Sequence, residues 1–136
     1  MDDLLVGAQI STSGMKAQAT RLRVVSENIA NADSVGTKPG EAPYRRKTLS
    51  FKSELNRTTG AEEVKVNKIA TDRSDFEKRY DPTHPAAGAD GYVKLPNINP
   101  LVEMMDMREA QRGYEANLNA MQISRQMISK TVDMLK

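Results

Sequence analysis

Apolar and small residues recur every seven positions at both ends of this chain, and the pattern lapses between them. From Leu4 to Ala32 no proline intervenes. Ala8, Met15, Leu22 and Ile29 lie seven apart, with Leu4, Val25 and Ala32 on adjoining positions. A narrow stripe of this period marks a helix that packs along another helix. Ser11 and Gln18 hold the remaining stripe positions, and Gly7 and Gly14 each cost about 1 kcal/mol relative to alanine. The stripe therefore predicts a helix that forms fully only when covered. At the other end Met107, Tyr114, Met121, Ile128 and Leu135 repeat the spacing. Met104, Leu118 and Val132 share an alternate seam that Gln111 and Arg125 interrupt. Asn99 is placed to cap this second helix, and Pro100 takes its first position, where a missing N–H is no loss. It is predicted from Leu101 almost to Lys136, with Gly113 as its internal weak point.

The middle of the chain has a different rhythm. Gly36, Pro39, Gly40 and Pro43 make residues 34–43 a loop. Leu49 and Phe51 alternate within a basic stretch from Tyr44 to Lys52, Val64 and Val66 alternate likewise, and Phe76–Tyr80 and Tyr92-Val93 add two further candidates. Thr58-Thr59-Gly60 and Asp81-Pro82-Thr83 read as turns. The fold expected is mainly α: long N- and C-terminal helices pairing as a coiled-coil-like hairpin, with a small β-rich insertion of two to four short strands. Its segments are 1–33, 34–99 and 100–136.

Composition adds that the core is thin. Of 136 residues 38% are hydrophobic, and the aromatics are two Phe and four Tyr. Such a chain buries little area in a monomer at about 25 cal/mol per Å². Flexible methionines in the seams suit surfaces that must fit non-identical neighbours. Two long helices that satisfy themselves poorly point to assembly; the competing reading is a closed helical hairpin that binds a partner helix as an adaptor.

Charge and chemistry narrow the function further. The net charge is +2, with three basic and three acidic groups in residues 1–32 and five of each in 100–136, so no basic tail for nucleic acid exists. The absence of cysteine excludes disulfides, thiolate catalysis and cysteine zinc sites. No stretch approaches the roughly 20 apolar residues of a membrane span. Met1-Asp2-Asp3 is acidic where a secretory signal is basic, which implies the cytoplasm or export without a cleaved signal. His84, alone in Asp81-Pro82-Thr83-His84-Pro85, is expected to hydrogen-bond a neighbouring carboxylate in a turn. Arg45-Arg46-Lys47 is expected to be a solvated or subunit-contacting strand. Glu103, Asp106 and Glu109 read as an exposed, salt-bridged helix face among Arg108 and Arg112. Neither Ser26 nor Ser34 has a candidate base nearby. No enzyme activity, metal or cofactor is expected.

Ser26-Glu27-Asn28-Ile29-Ala30-Asn31-Ala32 closes the first helix with two asparagines, poor interior residues but good terminators. This segment resembles the Asn-Ile-Ala-Asn motif of the flagellar rod, hook and hook-associated proteins. Tyr80-Asp81-Pro82-Thr83-His84-Pro85 and Gly91-Tyr92-Val93-Lys94-Leu95-Pro96-Asn97-Ile98-Asn99-Pro100-Leu101-Val102-Glu103-Met104 resemble the proximal-rod branch of that family. Pro43-Tyr44-Arg45-Arg46 and Tyr114-Glu115-Ala116-Asn117 fit the same pattern. Two positions depart from it: Gly113 stands where alanine is usual, and Arg108 where an apolar residue is commoner. Both are expected to loosen the second helix near its start.

The resemblance implies a structural subunit of the periplasm-crossing rod, exported unfolded by the flagellar type III apparatus without a cleaved signal. Its terminal helices would form the inner axial core, lining the export channel and transmitting torque, and its middle segment would face outward. The partners implied are other rod proteins, copies of itself, and the MS-ring and export-gate side of the basal body. The interface residues expected are Ala8, Met15, Leu22 and Ile29 against Met107, Tyr114, Leu118, Met121, Ile128 and Leu135. Asn28 and Asn31 would fix the helix-to-loop junction by hydrogen bonds.

Overall fold

The structure, a computed structural model, describes residues 2–136. Helix α1 spans Asp2–Ala30. Four strands follow: β1 (Lys47–Leu55), β2 (Glu62–Thr71), β3 (Glu77–Tyr80) and β4 (Tyr92–Leu95). Helix α2, Pro100–Met134, completes the order. The expected α class with a β insertion is what forms. Strand β1 pairs with β2 and β3 with β4, as two separate two-stranded sheets.

Local chemistry accounts for the boundaries. Asp2 and Asp3 occupy the first turn of α1, where carboxylates favour the positive end of the helix dipole. At its far end the Asn31 N–H is shared between the carbonyls of Glu27 and Asn28, and the Asn31 side-chain amide donates to the Glu27 carbonyl at 2.8 Å. Asn99 caps α2 as expected: its Oδ1 accepts the Leu101 N–H at 3.1 Å, and its carbonyl takes the N–H of Glu103. Between β1 and β2, Asn56 accepts from the N–H groups of Thr58 and Thr59, and Gly60 turns the chain with φ of +72°. A left-handed residue there favours glycine, which has no Cβ to clash.

The chain divides into two compact units. The first comprises Met1–Leu22, Leu49–Lys68 and Arg108–Lys136. In it α1 and α2 run antiparallel, as successive contacts show. The Thr12 hydroxyl meets the Met121 sulfur at 3.6 Å, and Arg21 pairs with Glu109 at 3.4 Å. A methyl group added to Gly14 would lie 2.7 Å from the Asn117 amide nitrogen, and one added to Gly113 would lie 3.0 Å from that of Gln18. Each helix thus offers one glycine as a socket for an amide of the other. This corrects the reading of Gly113 as a loosening point: its missing side chain is what admits Gln18. The buried apolar residues here are all alanine, Ala17, Ala61 and Ala110.

The seams fall partly where expected: Ser11 and Val25 of the α1 stripe are buried and the Met107 row of α2 is half-buried, while the other most buried positions lie one residue away. On α1 the buried positions are Ser11, Gly14, Ala17, Val24, Val25 and Asn28, while Ala8, Met15, Leu22 and Ile29 are half-buried. On α2 Met107, Tyr114, Met121 and Ile128 are half-buried, and the second row runs through Glu103, Ala110, Asn117, Ser124 and Thr131. Met104 and Val132 of the expected alternate seam are exposed. Small residues bring the backbones close, so the smallest side chains, not the largest, mark the line of contact.

The second unit comprises Arg23–Thr48 and Ile69–Met107. Its core is built on Val24, Val25 and Val93, the last fully buried. Strands β3 and β4 are antiparallel with Glu77 opposite Leu95, Lys78 opposite Lys94, Arg79 opposite Val93 and Tyr80 opposite Tyr92. Gly91 enters β4 with φ of +82°, and the Tyr80 ring lies where a Cβ would project.

Candidate functional site: the Asn28–Arg46–Glu103 junction

The largest fully buried side chain among the described residues is a carboxylate, Glu103, with no exposed surface. It lies in the first turn of α2, in the second unit. One of its oxygens receives the Arg46 Nε–H and the other a hydrogen bond from Asn28 Nδ2 at 3.3 Å. Arg46 also reaches Asp72 at 3.4 Å and Asp106 at 3.7 Å, so one guanidinium serves three carboxylates. A buried carboxylate is strongly unfavourable unless paired and hydrogen-bonded, and this one is both.

Asn28 is the second hub, buried to 1% exposure. Its Oδ1 accepts the Lys47 N–H at 2.9 Å and the Tyr44 hydroxyl at 3.2 Å. Its Nδ2 donates to the Lys47 carbonyl at 2.8 Å and to Glu103. Two donors and two acceptors are all that a side-chain amide has, so it is saturated. The same groups that pair across a sheet are supplied here by a side chain at the end of α1, which therefore orders the backbone where β1 begins. Neither aspartate (no N–H) nor leucine can substitute in both roles. Asn31 acts locally, closing the helix and accepting the Ser34 hydroxyl at 3.0 Å.

A further layer holds Arg46 itself. Its N–H donates to Asn97 Oδ1 at 2.8 Å, and the Asn97 amide donates to the carbonyls of Asp72 and Ser74. Arg45 donates to the same two carbonyls and lies 4.1 Å over the Phe76 ring, a cation–π contact. Lys47 pairs with Glu27 at 3.0 Å.

The electrostatics follow from these contacts. Burial works against the charge of Arg46, but Glu103 and Asp72 outweigh it and hold the guanidinium above its usual range. The backbone N–H and hydroxyl of Ser74, helped by Arg46, hold the Asp72 carboxyl below its usual value. Lys47 likewise depresses Glu27 and is raised by it in return. Burial pushes the Tyr44 hydroxyl up.

Three sequence expectations are corrected here. Arg45-Arg46-Lys47 is engaged within the chain because partners from four separate stretches converge on it. Glu103 does not belong to an exposed salt-bridged face; Asn28 and Arg46 supply the groups that let it be buried. His84 differs too: its Nδ1 accepts the Ala86 N–H at 3.0 Å, while the Asp81 carboxylate takes the Thr83 hydroxyl. Of the expected interface residues the junction draws in Asn28 alone, and Met121 meets Thr12 in the other unit. Leu118 is half-buried and Leu135 is 78% exposed. Glu103 carries one signal in the sequence: it is the single charge in Leu101-Val102-Glu103-Met104-Met105.

No group of three or more potential metal ligands occurs among the described residues. The contacts of Asn28, Arg46 and Glu103 order the backbone where β1 begins and hold the first turn of α2.

Comparison with known proteins agrees. Residues 9–38 match the family described as flagella basal body rod protein, and residues 89–134 match the flagellar basal body rod FlgEFG protein C-terminal family. The chain is 54% identical over 136 residues to the flagellar basal-body rod protein FlgC of Agrobacterium fabrum, covering all of this chain and 98% of that protein. It is 43% identical to FlgC of Bacillus subtilis, covering 93% and 95%, and 38% identical to FlgC of Aquifex aeolicus over the whole of both. The saturated asparagine at the end of α1 lies inside the first of the two matched family regions and its buried partner Glu103 inside the second, and the chain belongs to the FlgC family of flagellar basal-body rod proteins.

Proposed function

We propose that this chain, a structural protein of the flagellar basal-body rod, joins its neighbours through the outward apolar faces of its terminal helices. The observation that carries this reading is a row of large apolar side chains on α2 that the chain itself leaves uncovered. Ile123, Met127 and Met134 are 52%, 50% and 86% exposed at helical spacing, and Leu101 and Met105 are 72% and 70% exposed. Apolar surface left open in this way marks a place for another protein. The half-buried Ala8, Met15, Leu22, Ile29, Met107, Tyr114, Leu118, Met121 and Ile128 contribute their remaining surface, and Leu135 nearly all of its own.

In this reading residues 1–33 and 100–136 pair in coiled-coil fashion as the inner axial core, and residues 34–99 face outward. Contacts between unlike patches generate a helical array, which suits a tube that transmits torque and lines a channel. The neighbours are other rod proteins and copies of this chain, with the MS-ring and export-gate side of the basal body below. Export proceeds through the flagellar type III apparatus without a cleaved signal, and no helix is long and apolar enough to cross a membrane among the described residues. The relatives are rod proteins, which points away from catalysis and from the adaptor alternative.

The test is to replace Ile123 and Met127 together by aspartate. Motility and rod assembly should be lost while the free chain keeps its helicity and melting temperature. A normally motile double variant would overturn the proposal.

A further inference from the structure

The outer edge of β1 is unpaired, and its sequence is complementary to itself. The hairpin closes where the Asn56 N–H donates to the Ala61 carbonyl at 2.8 Å, a register that sets Glu54 opposite Glu63 and Lys52 opposite Lys65. Successive residues of a strand direct their backbone groups to alternate edges. The N–H and carbonyl of Lys47 point outward, where Asn28 meets them. Those of Leu49, Phe51, Ser53 and Leu55 point outward as well, and no group among the described residues pairs with them. Phe51 and Leu55 are 37% and 57% exposed, and Ser53 lies open between them. Inside the hairpin Lys52 and Glu54 each stand opposite a like charge, which opposes strand pairing. Glu54 offsets this by reaching Lys65 at 2.9 Å on the diagonal and Lys52 at 3.1 Å along its own strand.

We propose that the β1 edges of two free chains pair antiparallel about a two-fold axis at Ser53, joining two hairpins into one four-stranded sheet. Residues 51–55 read apolar, positive, small, negative, apolar: Phe-Lys-Ser-Glu-Leu. Paired antiparallel about Ser53, Phe51 meets Leu55 of the second copy and Lys52 meets its Glu54. The positive row of Lys52 and Lys65 then abuts the negative row of Glu54 and Glu63 of the other copy, and symmetry repeats the match. Moving the centre one residue either way sets Lys52 on Lys52 or Glu54 on Glu54, so charge selects the register. The outward N–H and carbonyl groups, a ready template for another strand, gain the partners they lack. The sheet stops at four strands, because the outer edge of β2 is met by α1, where the Val64 N–H donates to the Ser13 hydroxyl at 3.3 Å. A contact of this self-complementary kind closes as a dimer. Neighbours in a helical array all point the same way, whereas these two copies point oppositely. The pairing therefore belongs to the free chain and does not depend on the outward faces of the terminal helices.

Light scattering of the full chain over a range of concentrations tests it, together with oxidative cross-linking of single-cysteine variants, since the chain has no cysteine of its own. The contact is small, so a dimer should appear as the concentration approaches about 1 mM. Ser53→Cys should cross-link to itself, because the Cα atoms of a hydrogen-bonded pair lie about 5.5 Å apart, within disulfide reach. Ser50→Cys, off the axis on the same strand, should not. Glu54→Lys, which sets lysines opposite each other at both symmetric places, should weaken dimerisation about tenfold. Lys52→Glu with Glu54→Lys exchanges the charges and should restore it, while Ile123→Asp with Met127→Asp should leave it unchanged. A chain that stays monomeric throughout, its edge left for an unlike partner, would overturn the proposal. So would equal cross-linking at residue 50, unweakened pairing of the Glu54→Lys variant, or loss of the dimer when Ile123 and Met127 are replaced.

Discussion

The two compact units hold together by opposite means. The first buries alanines, a serine and glycine sockets along a helix pair, so its contacts are close, numerous and individually weak. The second buries valines around a saturated asparagine and a carboxylate ringed by donors, so its contacts are few and each is costly to lose. A seam of small residues tolerates adjustment, because sliding exchanges one weak contact for another. A polar junction does not, because any displaced partner leaves a buried charge or amide unsatisfied. The difference teaches where a subunit is free to adapt to its neighbours and where it holds its shape.

The widest contrast comes from removing one charge. Glu103→Ala should cost about 3–5 kcal/mol, because Arg46 and Asn28 lose their buried partner together. Chemical denaturation of the purified chain measures it, and a loss below about 1 kcal/mol would show the junction to be no firmer than the seam. Next comes Gly14→Ala. The gain in helix propensity is about 1 kcal/mol, but the methyl would press on the Asn117 amide at under 3 Å. Overpacking of that kind costs about 1–3 kcal/mol. A net loss of about 1 kcal/mol is expected, recovered when Asn117→Ala is combined with it; Gly113→Ala, with looser contacts, should be near neutral. If Gly14→Ala stabilises the chain, the socket is not filled.

The smallest effect is that of pH. Asp72 is held below its usual range by Ser74 and Arg46, and Glu27 by Lys47. A carboxyl depressed in the folded state contributes stability above its unfolded value and loses it as pH falls through the folded one. The denaturation midpoint should therefore decline below about pH 4, and Asp72→Asn with Glu27→Gln should flatten that decline. An unchanged slope in the double variant would remove these ion pairs from the account.

Much of this architecture was legible in the residues. Both helices, the Asn99–Pro100 start, the two turns and all four strands follow from period, caps and breakers, because those depend on neighbours in sequence. Strands β1 and β2 run to nine and ten residues, longer than expected. Ion pairs such as Lys65 with Glu54 extend them across the pair. Ser11 and Val25 are buried as the stripe implies, but the closest approach of the helices falls one residue away, as at Gly14 and Ala110, because small residues let the backbones meet and period alone does not show this. The junction was half visible. Asn28 announced itself by motif and by its poor fit to a helix interior. Its partners Tyr44, Lys47 and Glu103 are distant in sequence, and whether a charge such as Arg46 is solvated or buried depends on groups that no local pattern reveals.

The hydrogen bond from Asn28 to Glu103 joins residues 75 positions apart. A chain made or delivered N-terminus first therefore presents the asparagine long before its carboxylate arrives. Until then the Asn28 amide donates that bond to water, and Arg46 lacks the partner that most favours its charge. Closing a loop of that length costs entropy that local contacts do not repay, so it comes late in folding. The junction is in effect a clock set by chain length: it shuts only once the start of the last helix has emerged, and a truncated chain never shuts it.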